Sequence, residues 1–336
     1  MRNVFVIQSL LRRSLCNAAS IGRTVVNTVP SGSQFHTSVA SYSSFPGLVN
    51  TGWLAESLAR QETPDGRPLR VVDATRIAMQ IDRLHIPGSV HVDLAQLCDK
   101  ESPFHYTIPS PEYFADFVGK TLGVDNDTHV VLYDGRVRIM TSPRIWWMFR
   151  LFDHEAVSVL DGGLQQWMEE KREVTEDPTP APSPVTYKVP KVREDLLKTF
   201  EEVLQNVKEP QFQIMDSRPV DWYDGTLPSA YPGMKLGIMK MAANIPYPNF
   251  YVDGTSKFKS ADDLKALFRS KGIDLSRPLT SQCAVGITAC TLILGAYVAG
   301  KEDVALYDGS FEEYSQKGPV ESMNLYEEKP KSNPYG

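Results

Sequence analysis

The chain of 336 residues is long enough for two domains, and its 42% hydrophobic and 23% charged residues are typical of a globular protein. Its formal net charge of -6 argues against nucleic acid as a partner, because phosphate binding needs a basic face. No apolar run approaches the ~20 residues that cross a bilayer, and the four cysteines have neither disulfide-framework nor zinc spacing. We therefore expect no membrane partner, no metal and a reducing compartment.

Residues 1–44 differ in composition from the rest of the chain. Many serines occur there, no acidic residue precedes Glu56, and the arginines are Arg2, Arg12, Arg13 and Arg23. This composition is typical of a mitochondrial transit peptide, and a disordered tail is the alternative. We exclude this segment from the fold and predict a soluble mature protein in the mitochondrial matrix.

Residues 45–176 alternate between predicted strands and helices. The predicted strands are Leu69–Asp73, Val90–Asp93, His129–Asp134 and Val157–Asp161. The predicted helices are one that Thr51 caps, then Pro111–Leu122, Pro143–Phe152 and Leu164–Glu170. This alternation indicates an α/β domain with a mainly parallel central sheet and flanking helices.

A proline-rich stretch separates this domain from a second copy of the same pattern. Alternating prolines after Asp177 predict an extended linker over residues 177–192. Residues 193–325 then repeat the first pattern, and residues 326–336 form a tail. Because the pairs Asp73/Asp216 and Asp161/Asp308 have nearly the same separation, the chain is predicted to be a tandem duplication of one α/β unit.

The two copies differ at the end of one central strand, where the first has Asp134 and the second has Cys283. The loop after Cys283 leads into an apolar helix and consists of Ala284, Val285, Gly286, Ile287 and Thr288. A cysteine at such a turn lies near unpaired backbone N–H groups and a positive helix end, which favour the thiolate and make it a nucleophile. The alternative is an inert core cysteine, which is our interpretation of Cys290.

Five motifs carry a resemblance to a known family. They are His85-Ile-Pro-Gly-Ser-Val, Ser142-Pro-Arg-Ile-Trp-Trp-Met-Phe-Arg150, Leu160-Asp-Gly-Gly-Leu-Gln-Gln-Trp167, Cys283-Ala-Val-Gly-Ile-Thr-Ala and Tyr307-Asp-Gly-Ser-Phe. With them the chain resembles the two-domain rhodanese-like sulfurtransferases, both the thiosulfate and, more closely, the 3-mercaptopyruvate enzymes.

The resemblance implies a silent first domain and a catalytic Cys283 in the second, with no cofactor. The Cys283 thiolate would take a sulfur from a small donor, with 3-mercaptopyruvate favoured over thiosulfate, and become a persulfide. The loop amides would stabilise that anion, and Thr288 would cap the following helix. An acceptor such as thioredoxin, glutathione or cyanide would then remove the sulfur.

The active-site loop departs from both branches of the family. The thiosulfate enzymes have a basic pair, and the mercaptopyruvate enzymes a Gly-Ser pair, where this chain has Ala284 and Val285. Val285 therefore replaces the serine of a proposed Ser–His–Asp relay, whose other members have counterparts in His85 and Asp73. Since every histidine lies at or before His154, an imidazole that assists Cys283 must come from the first domain, and His85 is the predicted one.

The expected donor-binding residues also differ. Trp222 and Tyr231 stand where the family has two substrate arginines, and neither forms a fork-like carboxylate pair. Arg218 is the remaining substrate-binding candidate, although its match to Arg76 of the silent copy favours a structural role. The alternative function is thus a degenerate protein with little activity, a persulfide carrier or interaction scaffold. A phosphatase is excluded, since Cys283–Cys290 contains no basic residue.

Overall fold

The structure, a computed structural model, describes residues 45–77, 83–135, 140–228 and 231–327. The predicted targeting segment, residues 1–44, lies outside the described residues, as does most of the predicted tail. No helix in the described ranges is long and apolar enough to cross a membrane.

The first half folds around a five-stranded parallel sheet. Its strands are β1 (Leu48–Val49), β2 (Leu69–Asp73), β3 (Val90–His91), β4 (His129–Tyr133) and β5 (Val157–Leu160). They lie in the order β1-β5-β4-β2-β3, and every neighbouring pair is parallel. The helices are α1 (Thr51–Arg60), α2 (Pro111–Thr121), α3 (Ser142–Leu151) and α4 (Gly163–Glu169). Because helices cover both faces, the central strand β4 is buried along its whole length and is apolar at nearly every position.

The second half repeats this arrangement. Its sheet contains β6 (Leu197–Lys198), β7 (Gln213–Asp216), β9 (Ala242–Asn244), β10 (Leu279–Gln282) and β11 (Ala305–Tyr307), in the order β6-β11-β10-β7-β9. A separate antiparallel pair consists of β8 (Gly237–Met239) and β12 (Met323–Leu325). The helices are α5 (Phe200–Lys208), α6 (Val220–Tyr223), α7 (Ala261–Ser270), α8 (Ala289–Val298) and α9 (Ser310–Lys317).

The two five-stranded sheets have the same topology. β6, β7, β9, β10 and β11 occupy the places of β1 to β5, and the equivalent neighbours pair in parallel. The predicted fold class, two copies of an α/β unit with a mainly parallel central sheet, is confirmed.

The halves pack against each other through α3 and α8, and one apolar core runs through both. Every residue of α3 is buried, and its Trp146 ring meets the Tyr297 ring edge-on at 5.2 Å between centroids. The residues predicted as linker contain neither helix nor strand, and Val185 donates its N–H to the carbonyl of Gly119 in α2 (3.0 Å). The linker therefore lies along the first half.

Candidate active site

The central strand β10 positions Cys283. All four residues of the strand are buried between β7 and β11, and Cys283 is the next residue, with 3% of its surface exposed. Its backbone N–H donates to Ser310 Oγ (3.3 Å), and its carbonyl accepts the N–H of Phe311 (3.0 Å). The start of α9 thus holds the main chain at the predicted nucleophile.

The loop from Ala284 to Thr288 is shaped to hold an anion. Among the described residues, no backbone N–H from Ala284 to Thr288 has a hydrogen-bond partner. Gly286 has a φ of +80°, and a Cβ there would lie only 3.0 Å from the carbonyl oxygen of Asp308. Unpaired amides before a helix stabilise negative charge, so this loop suits a thiolate or a persulfide anion.

Thr288 does not cap α8, so that prediction is wrong. Its backbone is already helical (φ -70°, ψ -17°), whereas a capping side chain needs an extended backbone to reach the next amides. Its hydroxyl instead lies 2.7 Å from that of Ser217, the residue after β7. This contact ties the end of the loop to the neighbouring strand.

A segment of the first half, Phe104–Ile108, forms one wall beside the loop. Ile108 donates its N–H to the Asp308 carboxylate (2.9 Å), and His105 places its N–H 2.8 Å and its Nδ1 2.6 Å from the Glu312 carboxylate. Arg144 of α3 is fully buried and donates from Nη2 to Asp308 (2.6 Å). Both halves of the chain therefore border the Cys283 loop, and we call the region between them the active-site cleft.

Tyr231, which the family resemblance aligns with a substrate arginine, packs against this wall. Its ring centroid is 5.1 Å from that of His105. Burial raises the pKa of Tyr231 above its ordinary value, the charge of Cys283 raises it further, and Arg76 opposes both. Arg76 belongs to the first half, and its Nη2 donates to the hydroxyl of Tyr106 (2.7 Å). The cation near this tyrosine therefore comes from the other half of the chain.

His85 and Asp73 line a different space, a cavity of about 460 Å³ bounded by first-half and linker residues. Asp73 accepts the N–H (2.9 Å) and hydroxyl of Thr75, and His85 Nε2 lies 3.4 Å from Thr179 Oγ1 in the linker. These contacts do not support assistance from His85 to Cys283, which stays a prediction. A histidine of the first half that does contact the second half is His105.

Arg218 is occupied by structural contacts. The strand registers place Asp216 at the position of Asp73, so Arg218 corresponds to Thr75 and not to Arg76 as expected. Its guanidinium donates twice to the Asp216 carboxylate and from Nη1 to the Gly237 carbonyl (3.0 Å), and the residue is 2% exposed. With these bonds made inside the fold, Arg218 is not available to bind a donor.

The surroundings of Cys290 and Asp134 do not suit a nucleophile. Cys290 is completely buried, and burial raises the pKa of its thiol to about 12, so the thiol stays protonated. Asp134 stands at the strand position equivalent to Cys283, and its carboxylate accepts the N–H groups of Met140, Thr141 and Ser142. The described residues contain no cluster that fits a metal ion.

Comparison with known proteins identifies the family to which this fold belongs. Residues 52–170 match the domain family described as "Rhodanese-like domain". The chain is 42% identical over 287 residues to thiosulfate sulfurtransferase of Cricetulus griseus, covering 83% of this chain and 95% of that protein. The chain belongs to the rhodanese-like sulfurtransferase family. It is also 36% identical over 285 residues to 3-mercaptopyruvate sulfurtransferase of Homo sapiens, covering 82% and 94%.

Solved structures agree with this assignment. The rhodanese-like SseA of Escherichia coli, described as a 3-mercaptopyruvate sulfotransferase, superposes with a TM-score of 0.66 at 28% identity, covering 79% of this chain and 98% of SseA. Tum1 of Saccharomyces cerevisiae shares the fold with a TM-score of 0.74 at 24% identity, covering 85% and 99%. The predicted family is confirmed, and the chain is a sulfurtransferase enzyme. Sequence identity is higher with the thiosulfate sulfurtransferase of Cricetulus griseus (42%) than with the human 3-mercaptopyruvate sulfurtransferase (36%).

Several residues at the cleft were not predicted from the sequence. Arg144 and Asp308 lie inside two of the family motifs, where a charge in a run of apolar or small residues was a usable signal. His105 and Arg76 lie outside every motif. Their position beside the second half follows only from how the two halves pack.

Proposed function

We propose that this rhodanese-like enzyme transfers a sulfane sulfur from a small anionic donor, with 3-mercaptopyruvate favoured over thiosulfate, to a thiol or cyanide through a persulfide on Cys283. The observation that carries the proposal is a cysteine at a strand end, followed by a loop whose amides from Ala284 to Thr288 are unpaired among the described residues. Ala284 and Val285 supply no positive charge for the thiosulfate dianion, which favours the mercaptopyruvate donor.

The reaction has two steps, formation of a persulfide on Cys283 and transfer of its outer sulfur to an acceptor. The Cys283 thiolate attacks the transferable sulfur of the donor, an S–S bond forms, and the bond between that sulfur and the rest of the donor breaks with its electron pair leaving on the departing group. With mercaptopyruvate the leaving group is the enolate of pyruvate, which takes up a proton. An acceptor thiolate, from thioredoxin or glutathione, then attacks the outer sulfur and carries it away, which returns the Cys283 thiolate. The loop amides stabilise the negative charge in both states.

Turnover by the full chain tests this proposal. We expect pyruvate and sulfide from 3-mercaptopyruvate with reduced thioredoxin, and no product above background from Cys283→Ser. Cys98→Ser is the matched control, because Cys98 is a partly exposed thiol of the first half whose Sγ donates to the Ala95 carbonyl and accepts from Lys100 Nζ. Equal inactivity of wild type and Cys283→Ser with both mercaptopyruvate and thiosulfate would exclude an enzyme that uses these donors.

A second candidate is a degenerate protein that carries a persulfide or serves as a scaffold. Tyr231 and Trp222 favour it, because they stand where the family has two substrate arginines. A carrier would accept sulfur on Cys283 without turnover, whereas a scaffold would stay unmodified. Mass measurement of the Cys283 peptide separates the two.

We also propose that residues 1–44 direct the chain into the mitochondrial matrix. The proposal rests on their arginines and serines and on the absence of acidic residues before Glu56. The full chain fused at its C-terminus to a fluorescent protein should accumulate in mitochondria, and replacement of Arg12 and Arg13 by glutamate should prevent this. Unchanged location of the double variant would count against a targeting role.

A further inference from the structure

We propose that Arg76, a residue of the silent first half, binds the anionic group of the sulfur donor at the Cys283 cleft. The inference rests on the proposed function, and it identifies the group that takes the place of the missing second-half arginines. The chemistry recognised is a small carboxylate or sulfonyl anion attached to a transferable sulfur.

Arg76 is held beside the cleft by Tyr106. Its Nη2 donates to the Tyr106 hydroxyl (2.7 Å), and its guanidinium carbon lies 5.2 Å from the centroid of the Tyr106 ring. Tyr106 is itself fixed, because its carbonyl accepts from Arg144 Nη2 (2.8 Å). Its φ of +58° is unusual for a residue with a side chain, and such backbones occur at functional sites.

Arg76 and Cys283 both lie within electrostatic reach of one hydroxyl, that of Tyr231. Tyr231 contacts His105, the residue before Tyr106, through rings 5.1 Å apart. The side chains packed against the Phe104–Ile108 segment therefore include a guanidinium and a phenol. Because burial raises the pKa of Tyr231, its hydroxyl keeps its proton and adds no negative charge beside Arg76.

Arg76 has donors to spare, unlike the other arginines near the site. Among the described residues its one hydrogen-bond partner is the Tyr106 hydroxyl, and it takes part in no ion pair. Arg144 and Arg218 are instead paired with the carboxylates of Asp308 and Asp216. A guanidinium has five donors in a planar fork that fits a carboxylate or sulfonyl group, so a half-buried and unpaired one in a cleft suits an anionic ligand.

The buried carboxylate beside this wall pairs with His105 and not with Arg76. Glu312 is 1% exposed and lies against the N–H and Nδ1 of His105. A donor whose sulfur meets Cys283 would extend its anionic end away from the reacting atom, toward Arg76 and Tyr231. The first half thus supplies the charge that Trp222 and Tyr231 lack.

Steady-state kinetics of the full chain test the proposal with two donors. We expect Arg76→Gln to raise KM for the recognised donor about 10- to 100-fold, the loss for one charge-assisted contact, with a smaller change in kcat. Arg76→Lys should recover part of the loss, because it restores the charge without the fork. Arg60→Gln, an exposed arginine at the end of α1, is the control for net charge and should behave as wild type. The donor whose KM changes, mercaptopyruvate or thiosulfate, is the one that Arg76 recognises.

Alkylation of Cys283 tests the same charge without any turnover. Iodoacetate and iodoacetamide differ in the carboxylate, so their rate ratio at Cys283 reports positive potential in the cleft. In a Cys98→Ser background, Arg76→Gln should lower the iodoacetate rate several-fold and leave the iodoacetamide rate unchanged. If wild type turns over neither donor, the proposed function fails and this ratio still decides the role of Arg76. An unchanged ratio, or unchanged KM for both donors in an active enzyme, would overturn the inference.

Discussion

Buried position alone does not distinguish the chemistry of Cys283 from that of Cys290. Both cysteines are buried, but Cys283 begins a loop whose amides are unpaired among the described residues, whereas Cys290 lies at the start of α8, where burial outweighs the opposing charge of Arg144. An amide-lined loop stabilises negative charge, and an apolar interior opposes it. The sequence predicted this difference from the strand-to-helix turn, since the turn depends on local pattern.

Long-range contacts at the residue scale were not predictable. Arg76 and Arg218 occupy similar places in the two repeats of the sequence. Arg218 forms an ion pair with Asp216, whereas Arg76 donates a hydrogen bond to the hydroxyl of Tyr106. An error of one residue in matching the two copies made them appear equivalent. Only the strand registers correct it, because a match of short segments without pairing partners leaves the register open.

His129 should make the stability of the enzyme depend on pH. Burial lowers the pKa of His129 to about 4, from an ordinary 6.5, and the ring lies 3.0 Å from Ser158 Oγ. Stability from the neutral ring is therefore fully present above pH 6.5, is lost progressively as pH falls from 6.5, and is gone once pH has fallen through about 4. Between pH 7 and 4.5 we expect wild type to lose about 2 kcal/mol more free energy of unfolding than His129→Gln, by urea titration.

The comparison with His129→Gln is needed because Asp134 acts in the opposite direction. Burial raises the pKa of Asp134 to about 6, so protonation of Asp134 in the folded state adds stability as pH falls through that value. This term is common to wild type and variant. Parallel pH curves for the two proteins would show that His129 is not the titrating group.

At the scale of elements, the central strands were predicted well and the helix caps poorly. β4 and β10 are fully buried and end within one residue of the predicted positions. Thr51 was expected to cap α1, but the capping side chain belongs to Asn50, which accepts from the N–H of Trp53 (2.8 Å). A run of apolar residues is enough to identify a buried strand. A cap depends on the backbone angles of a single residue, and the sequence does not show which of the two adjacent capping residues, Asn50 or Thr51, adopts them.

Gly286 should be intolerant of any side chain. Gly286→Ala places a Cβ in a left-handed backbone, at 3.0 Å from the Asp308 carbonyl and 3.3 Å from Arg144 Nη1. We expect this variant to lose sulfurtransferase activity and more than about 2 kcal/mol of stability, because strain and crowding add.

Gly272→Ala is the matched control. Gly272 has a φ of +75°, but no atom lies within 4 Å of an added Cβ. It should lose about 1 to 2 kcal/mol from backbone strain alone and keep its activity. Equal losses of stability, with activity kept in both variants, would show that the close approach at Gly286 does not shape the catalytic loop.

The whole molecule is held together by reciprocal contacts between its two halves. The N–H of Ile108 in the first half donates to Asp308 (2.9 Å), and the N–H of Phe258 in the second half donates to Asp161 (2.8 Å). Asp161 and Asp308 follow the equivalent strands β5 and β11. The duplication was predictable from sequence, but these hydrogen bonds between the halves were not, because no local pattern indicates which half a loop contacts.

The two aspartates differ in one respect that stability measurements can resolve. Asp308 also pairs with Arg144, whose side chain is completely buried, whereas the described contacts of Asp161 include no such ion pair. Asp308→Ala leaves a buried guanidinium without its carboxylate and should cost about 3 to 5 kcal/mol of unfolding free energy. Asp161→Ala leaves one backbone N–H unpaired and should cost about 1 to 3 kcal/mol. Equal losses in urea titrations would contradict an interface organised around Arg144.

The central claim is that Cys283 carries the transferred sulfur. Mass spectrometry of the full chain after one equivalent of 3-mercaptopyruvate or thiosulfate, without acceptor, tests it most directly. We predict a gain of one sulfur atom, assigned by fragmentation to Cys283, present also in Cys290→Ala, absent from Cys283→Ser and removed by reduced thioredoxin. A protein that turns over donor while Cys283 stays unmodified, or that carries the sulfur on Cys290, would contradict the account.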